Sequence, residues 1–344
     1  MYTLTIPEMQ QFITHIGVEM AEPIMLWGPP GVGKSEGVYQ ACQKANGLLV
    51  DIRLSQYDSV DLRGIPVPSE GLTVWHAPST LPFKGNANFE EAASKPIFLF
   101  LDEINAAAPA VAAVAYQLIN DRAVGEHKLM DNVTVIAAGN RESDGGVTNR
   151  MPTPLANRFT HIEVDADPDS WCEWAQANGL DPMGIAFIQW QKSKLLVFKR
   201  EQAIKDKAFA TPRTWAKALR YYASTTVPEH IKRAAMQGAI GEGPANEFWG
   251  FVDVCKDMPS IEAIERAPDK TPVPDQASVR YATAVAISGT MAPKRVDAFA
   301  KYLGRMDPEF SILAWSLAMK RDPTLASERS FLDFTKQYRE VLVR

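Results

Sequence analysis

The chain has 344 residues, of which 46% are hydrophobic and 22% charged, with a formal net charge of -5. That length suits roughly two to three domains of an ordinary globular protein, and the negative balance excludes the broad positive field of a non-specific nucleic-acid binder. No apolar run approaches the length of a membrane span and the first residues lack the basic and apolar regions of a secretion signal, so we expect a cytoplasmic protein with no membrane span.

In chain order, Ile6, Met9, Phe12, Ile13 and Ile16 recur at helical spacing behind Thr5 and Pro7, which predicts a short amphipathic helix stopped by Gly17. Residues 23–27 read as a short buried strand and 36–45 as a helix ending at Asn46 and Gly47. Between them Gly28, Pro29, Pro30, Gly31, Val32, Gly33, Lys34 and Ser35 fit the phosphate-loop pattern: Gly, four residues of any kind, Gly, Lys, then Ser or Thr. Strand, loop and helix are the context that this pattern needs. Its glycines let backbone amides curl around phosphate oxygens and the helix N-terminus adds partial positive charge; Lys34 can reach the terminal phosphates, and the Ser35 hydroxyl can ligate magnesium.

Residues 48–54, 96–103, 133–140 and 159–164 read as further strands, and the nearly unbroken apolar runs in the second and third of these suit a parallel sheet covered on both faces. With helical segments between, the first 166 residues are expected to form a doubly wound α/β domain. From Asp167 onward the pattern turns helical: Asp167–Pro168, Asp181–Pro182 and Thr211–Pro212 each pair a capping residue with proline at the first helical position. We expect loop or hinge over 238–244 and 267–274, and amphipathic helices over 296–303 and 331–342. The three cysteines, Cys42, Cys172 and Cys255, lie far apart without paired spacing and read as reduced, buried small hydrophobes.

Phosphate binding alone makes no ATPase. The third strand ends in Asp102 and Glu103, and strand carboxyl ends gather beside a phosphate loop in a parallel sheet. Asp102 is then placed to hold magnesium, and Glu103 to polarise the water that attacks the γ-phosphate. Asn140 ends the next strand, where its amide can sit between Glu103 and the γ-phosphate. Two arginines stand at element ends: Arg158 just before the fifth strand and Arg213 in the first turn of the helix behind Thr211–Pro212. Hydrolysis needs cationic stabilisation beyond lysine and magnesium, which singles these two out.

Residues 28–35, 97–105, 135–140, 154–159 and 211–215 together resemble the AAA+ ATPases. The narrower likeness is to their MoxR-like branch, because 61–64 with 71–75 and, separately, 121–126 are similar to that branch's inserted hairpins. The resemblance covers about residues 5–225. It implies an AAA+ P-loop doubly wound parallel sheet over 1–166, an α-helical lid over 167–240 and a helical C-terminal extension over 241–344. It also implies ATP with Mg2+, the ion held by Ser35 and Asp102. Glu103 and Asp102 would be Walker B and Asn140 sensor 1. Arg158 would be the finger that reaches a neighbouring subunit's nucleotide, with Arg150 a second candidate, and Arg213 would be sensor 2. Where many relatives follow sensor 1 with proline, this chain has Arg141.

The implied partners are other copies of the chain in a ring, typically hexameric, a protein client, and a protein with a von Willebrand factor A domain. Two rivals remain from other classes: a nucleotide-dependent assembly scaffold with negligible turnover, and a DNA-directed AAA+ motor, which would bring nucleic acid in as partner. Trp75, Phe83 and Phe89 read either as client contacts or as small satellite cores, and His76 and His127 as surface residues.

Overall fold

The computed structural model describes residues 2–141, 144, 151–198 and 207–337; Arg150 therefore lies outside the described residues. The chain divides into two compact units, Met1–Asp167 and Pro168–Arg344.

In the first unit the strands are β1 (Thr3–Leu4), β2 (Ile24–Trp27), β3 (Leu48–Arg53), β4 (Ile65–Ser69), β5 (Leu72–His76), β6 (Ile97–Asp102), β7 (Ala123–Val124), β8 (His127–Lys128), β9 (Val133–Gly139) and β10 (Thr160–Val164). Six of them form one sheet in the order β1-β10-β2-β9-β6-β3, with every neighbouring pair parallel. The chain leaves β2 for the far edge at β3, returns through β6 and β9, and then places β10 on β2's other side. A sheet whose order reverses at one strand opens a crevice at that strand's carboxyl end, and β2 is the strand that runs into the phosphate loop.

Strand alternation divides the buried residues between two faces. Met25, Leu99, Leu101, Val133, Val135 and Ala137 belong to one core and Ile24, Leu26, Phe98, Phe100, Ile136 and Ala138 to the other. Both faces are covered, as a parallel sheet requires, since a face left wet would expose these apolar side chains.

The first helix, α1 (Ile6–Phe12), starts on a Thr5–Glu8 capping box, with Glu8 Oε2 accepting from Thr5 N at 2.8 Å. Gly17 does not stop it: the helix continues as a π-helix through Ile13–Glu19. A Cβ on Gly17 would come within 3.0 Å of both Ile24 and Thr134 side chains, so glycine is there to let the turn lie on the sheet. Both inserted stretches fold as hairpins. β4 and β5 pair antiparallel behind α3 (Ser59–Arg63), joined by Glu70 and Gly71 at φ 49° and 80°, the left-handed pair that a two-residue hairpin turn demands. β7 and β8 pair antiparallel after α4 (Pro109–Asp121).

The second unit is built of helices joined by turns and loops, with no strand among its described residues. α6 (Pro168–Ala177), α7 (Pro182–Trp190) and α8 (Pro212–Ala223) begin at the proline positions read from the sequence, after the short α5 (Thr153–Ala156) of the first unit. Asp181 Oδ1 accepts from Met183 N at 2.9 Å and Thr211 Oγ1 from Thr214 N at 3.1 Å, so two of the three prolines follow a side-chain cap. The expected loop over 238–244 is instead almost all helix: α9 (Glu229–Ile240) runs through Gly238, and α10 (Glu242–Val254) carries Gly243 and Pro244 in its first turn. Only Gly241, at φ 88°, breaks the run, and a proline in a first turn forfeits no helical hydrogen bond. A core of Trp315, Tyr302, Phe299 and Phe310 gathers the last helices.

Candidate functional site

The loop leaves β2 at Gly28 and turns through Gly31 (φ 76°) and Gly33 (φ 114°) into α2 (Lys34–Lys44). Both positive φ values are open to glycine and strained for other residues, which is why the motif keeps them there. Gly28 needs its missing side chain for another reason: a Cβ would stand 2.4 Å from the Val164 carbonyl oxygen of β10. The loop is thus seated on the neighbouring strand.

Four of the residues singled out from sequence meet at these strand ends. Ser35 Oγ donates to Asp102 Oδ2 at 2.9 Å. Lys34, buried to 8% exposure, donates through Nζ to the Gly28 carbonyl at 2.6 Å, to that of Pro29 at 3.1 Å and to Asn140 Oδ1 at 3.3 Å. The hydroxyl and carboxylate side by side are hard oxygen donors of the kind that would hold a magnesium ion. Among the described residues no cluster of three or more His, Cys, Asp or Glu could form a protein cage for a metal. Partial burial pushes the Asp51 carboxyl of β3 above its usual range and the Asp102 charge adds to this, so the edge beside Asp102 is crowded with negative charge.

Asn140 thus stands beside Lys34 through its Oδ1. The Glu103 carboxylate accepts from Ser55 Oγ, just beyond β3. Glu103 has left-handed backbone at φ 57°, a conformation that disfavours L-residues by about 1–2 kcal/mol. Its peptide N–H donates to Asp102 Oδ1 at 2.9 Å, which holds the two acidic residues in a fixed relation. Asn105, 7% exposed, donates to the Asn140 carbonyl at 2.7 Å, and its Oδ1 would stand 2.7 Å from a Cβ on Gly139. Sequence reading missed Ser55 and Asn105. Asn105 follows Glu103 by two residues and was within reach; Ser55 lies 48 residues away, and only the β3–β6 pairing brings it near.

Replacing Ser55 with alanine leaves the Glu103 carboxylate without that donor. We expect basal ATP turnover of Ser55→Ala to rise about two- to tenfold, the range to which the net worth of one hydrogen bond, about 0.5–1.5 kcal/mol, converts. Steady-state phosphate release checks it, and an unchanged rate would make the contact incidental to turnover.

Arg158 is exposed, two residues after α5. Arg213 is exposed in the first turn of α8, where a cation opposes the helix dipole; helix stability does not account for it. Arg141, in the place of the relatives' proline, contacts Asp144 at 3.3 Å and Glu163 of β10 at 3.6 Å. Phe83 and Phe89 are core residues, while Trp75 is half-buried with the Arg63 guanidinium 5.0 Å from its ring centre. His127 is not a bare surface residue: its Nε2 lies 3.0 Å from the Trp75 carbonyl and its ring packs on Phe83, joining the two hairpins. Ile65 (64% exposed), Leu72 (72%) and Val74 share one outer face of the first hairpin.

Residues 24–165 match the model of the ATPase family associated with various cellular activities (AAA). The chain is 29% identical over 164 residues to midasin of Giardia intestinalis and 28% over 161 to midasin of Dictyostelium discoideum. Those stretches cover 45% and 43% of this chain but only 3% of each midasin, so the chain spans a small fraction of these relatives. Among solved structures, the Holliday junction branch migration motor RuvB of Thermotoga maritima aligns at TM-score 0.37 and 15% identity, over 87% of both chains. NtrX of Brucella abortus in complex with ADP aligns at TM-score 0.35 and 16% identity, over 97% of this chain and 67% of the other. The parallel sheet, its phosphate loop and the acidic strand end lie within the stretch 24–165 that matches the AAA family model.

Proposed function

We propose that the chain is an ATP-hydrolysing motor of MoxR-like kind that works as a homo-oligomeric ring, hexameric by resemblance, and remodels or activates a protein client. The observation that carries the reading is the Ser35–Asp102 contact of 2.9 Å beside Lys34, at the strand ends where a phosphate loop opens. Mg2+ bound by Ser35 and Asp102 would neutralise charge on the β- and γ-phosphate oxygens. Lys34 holds the terminal phosphates, Glu103 orients and deprotonates the attacking water, and Asn140 positions the cation of Lys34. Arg158 contacts the nucleotide of the next subunit, and Arg213 that of its own.

Under this reading the helical unit comprises a lid over 167–240 and an extension over 241–344. The apolar hairpin face of Ile65, Leu72 and Val74 supports a client-facing role for the first insert. The partner with a von Willebrand factor A domain and the cytoplasmic location belong to the same proposal.

A site completed by a neighbour turns over only when subunits meet. Turnover per subunit is therefore expected to rise with protein concentration until assembly saturates. A rate per subunit constant across the whole range would overturn the shared site.

A further inference from the structure

The sequence passes from β2 into the phosphate loop through Trp27, and from α5 into β10 through Arg158 and Phe159. Strand pairing sets these two stretches side by side: β10 lies on β2 with His161 opposite Met25 and Glu163 opposite Trp27. Alternation then puts Trp27 and His161 on the same sheet face, diagonal to one another. Their rings stack at 6.1 Å between centres with 12° between planes.

Two hydrogen bonds run through the imidazole. Trp27 Nε1 lies 2.9 Å from His161 Nδ1, and His161 Nε2 lies 2.7 Å from the Ala156 carbonyl oxygen. An indole nitrogen can only donate and a carbonyl can only accept. His161 therefore accepts on Nδ1 and donates from Nε2, and only the neutral imidazole protonated at Nε2 serves both. Ala156 is the last residue of α5, two before Arg158.

The other end of this connection reaches the phosphates. Lys34 Nζ donates to the carbonyl of Gly28, the residue bonded to Trp27, at 2.6 Å. A polyphosphate in the loop competes for that cation and so alters the hold on Gly28. Gly28 has little room to move without moving β10, because a Cβ there would stand 2.4 Å from the Val164 carbonyl. A shift at the loop is accordingly passed to Trp27 and to the strand that carries His161.

We infer that His161 is a positioning residue that links the nucleotide state of a subunit's own phosphate loop to the setting of its Arg158. The inference rests on the proposed action of Arg158 at a neighbour's site. It deepens that reading by stating when a subunit presents its arginine: the peptide bond from Gly28 to Trp27 and the hydrogen bonds from Trp27 to His161 and on to Ala156 tie the two events. The connection stays within one compact unit, and Trp27, His161 and Ala156 lie outside the residues proposed to hold the phosphates or the attacking water.

A mixing experiment isolates the effect. Arg158→Ala subunits have intact sites of their own and no arginine to offer. Glu103→Gln subunits have dead sites but keep Arg158. Turnover regained when the two are mixed reports only the arginine supplied by the second. Introducing Trp27→Phe, which removes one N–H and keeps an aromatic ring, or His161→Phe, which removes both bonds, into the Glu103→Gln subunit is expected to cut the regained turnover at least about fivefold. Nucleotide affinity and melting temperature of the Trp27→Phe, Glu103→Gln subunit are expected to match those of its parent.

Equal regain with and without these changes would overturn the inference. So would a loss matched in both variants by weakened nucleotide binding or a lowered melting temperature, which would make the contact one of packing. No regain even with the plain Glu103→Gln subunit would overturn the trans action of Arg158 first, and the inference with it; this parent mixture keeps the two failures apart.

Discussion

Glu103→Gln is expected to lower ATP turnover by about 10²–10⁴-fold, the usual contribution of a positioned general base, while leaving nucleotide affinity within a few-fold of the parent. The substitution keeps size and shape and removes only the charge and basicity. Glutamine can still accept from Ser55 Oγ, so the local packing has no reason to change. In the proposed reading binding rests elsewhere, on the loop amides, Lys34 and the Ser35–Asp102 pair. Single-turnover hydrolysis alongside titration of a fluorescent nucleotide separates the two quantities. Loss of both together would mean that Glu103 supports the fold of the site, and an unchanged rate would take the general-base role away from it. The strained backbone of Glu103, at φ 57°, gives the expectation further footing: a residue held in a disfavoured conformation at an active-site edge is held there by its surroundings.

Much of this site was legible because it is written in contiguous residues with local physics. The phosphate loop needs glycine at two left-handed positions and a helix directly after it, and each requirement falls within eight residues of sequence. The strands β6 and β9 were legible as unbroken apolar runs, since a parallel sheet buries both faces. The three Asp–Pro and Thr–Pro helix starts were legible because capping is a matter of two or three neighbouring residues.

What escaped was set by tertiary approach. Gly17 carries the same letter as a helix stop but serves a close contact with Ile24 and Thr134, both supplied by other strands. Gly243 and Pro244 read as loop until their place in a first turn is known, where proline is tolerated. The contacts of Asn140 with Lys34 and of Ser55 with Glu103 each join residues far apart in sequence. His127 read as a lone surface histidine, since its partners Trp75 and Phe83 belong to a different hairpin and its connection. The long-range hydrogen bonds of polar side chains are decided by strand order, which a single sequence states only indirectly.

Arg158→Ala is expected to reduce turnover by about 10³–10⁵-fold, the range for an arginine that stabilises charge in phosphoryl transfer. The guanidinium is exposed, and among the described residues no ion pair within the chain engages it. An arginine with no ion pair among the described residues, on the turn after a four-residue helix, is placed to meet an anion from outside. Its removal should spare nucleotide affinity, because the phosphate loop that binds the nucleotide belongs to a different part of the same subunit. It should also spare assembly, which sedimentation in the presence of ATP measures. Arg158→Lys should recover little of the rate, since a point charge on a flexible stem does not reproduce the planar five-donor fork.

The sharpest contrast is with Arg213→Ala. Under the proposed reading Arg213 acts on the nucleotide of its own subunit, so its loss is expected to persist when Glu103→Gln subunits are added, whereas the loss from Arg158→Ala is expected to be relieved. If both variants are rescued, both arginines act between subunits. If neither is, the nucleotide site is complete within one chain, and the dependence of turnover on concentration should vanish with it.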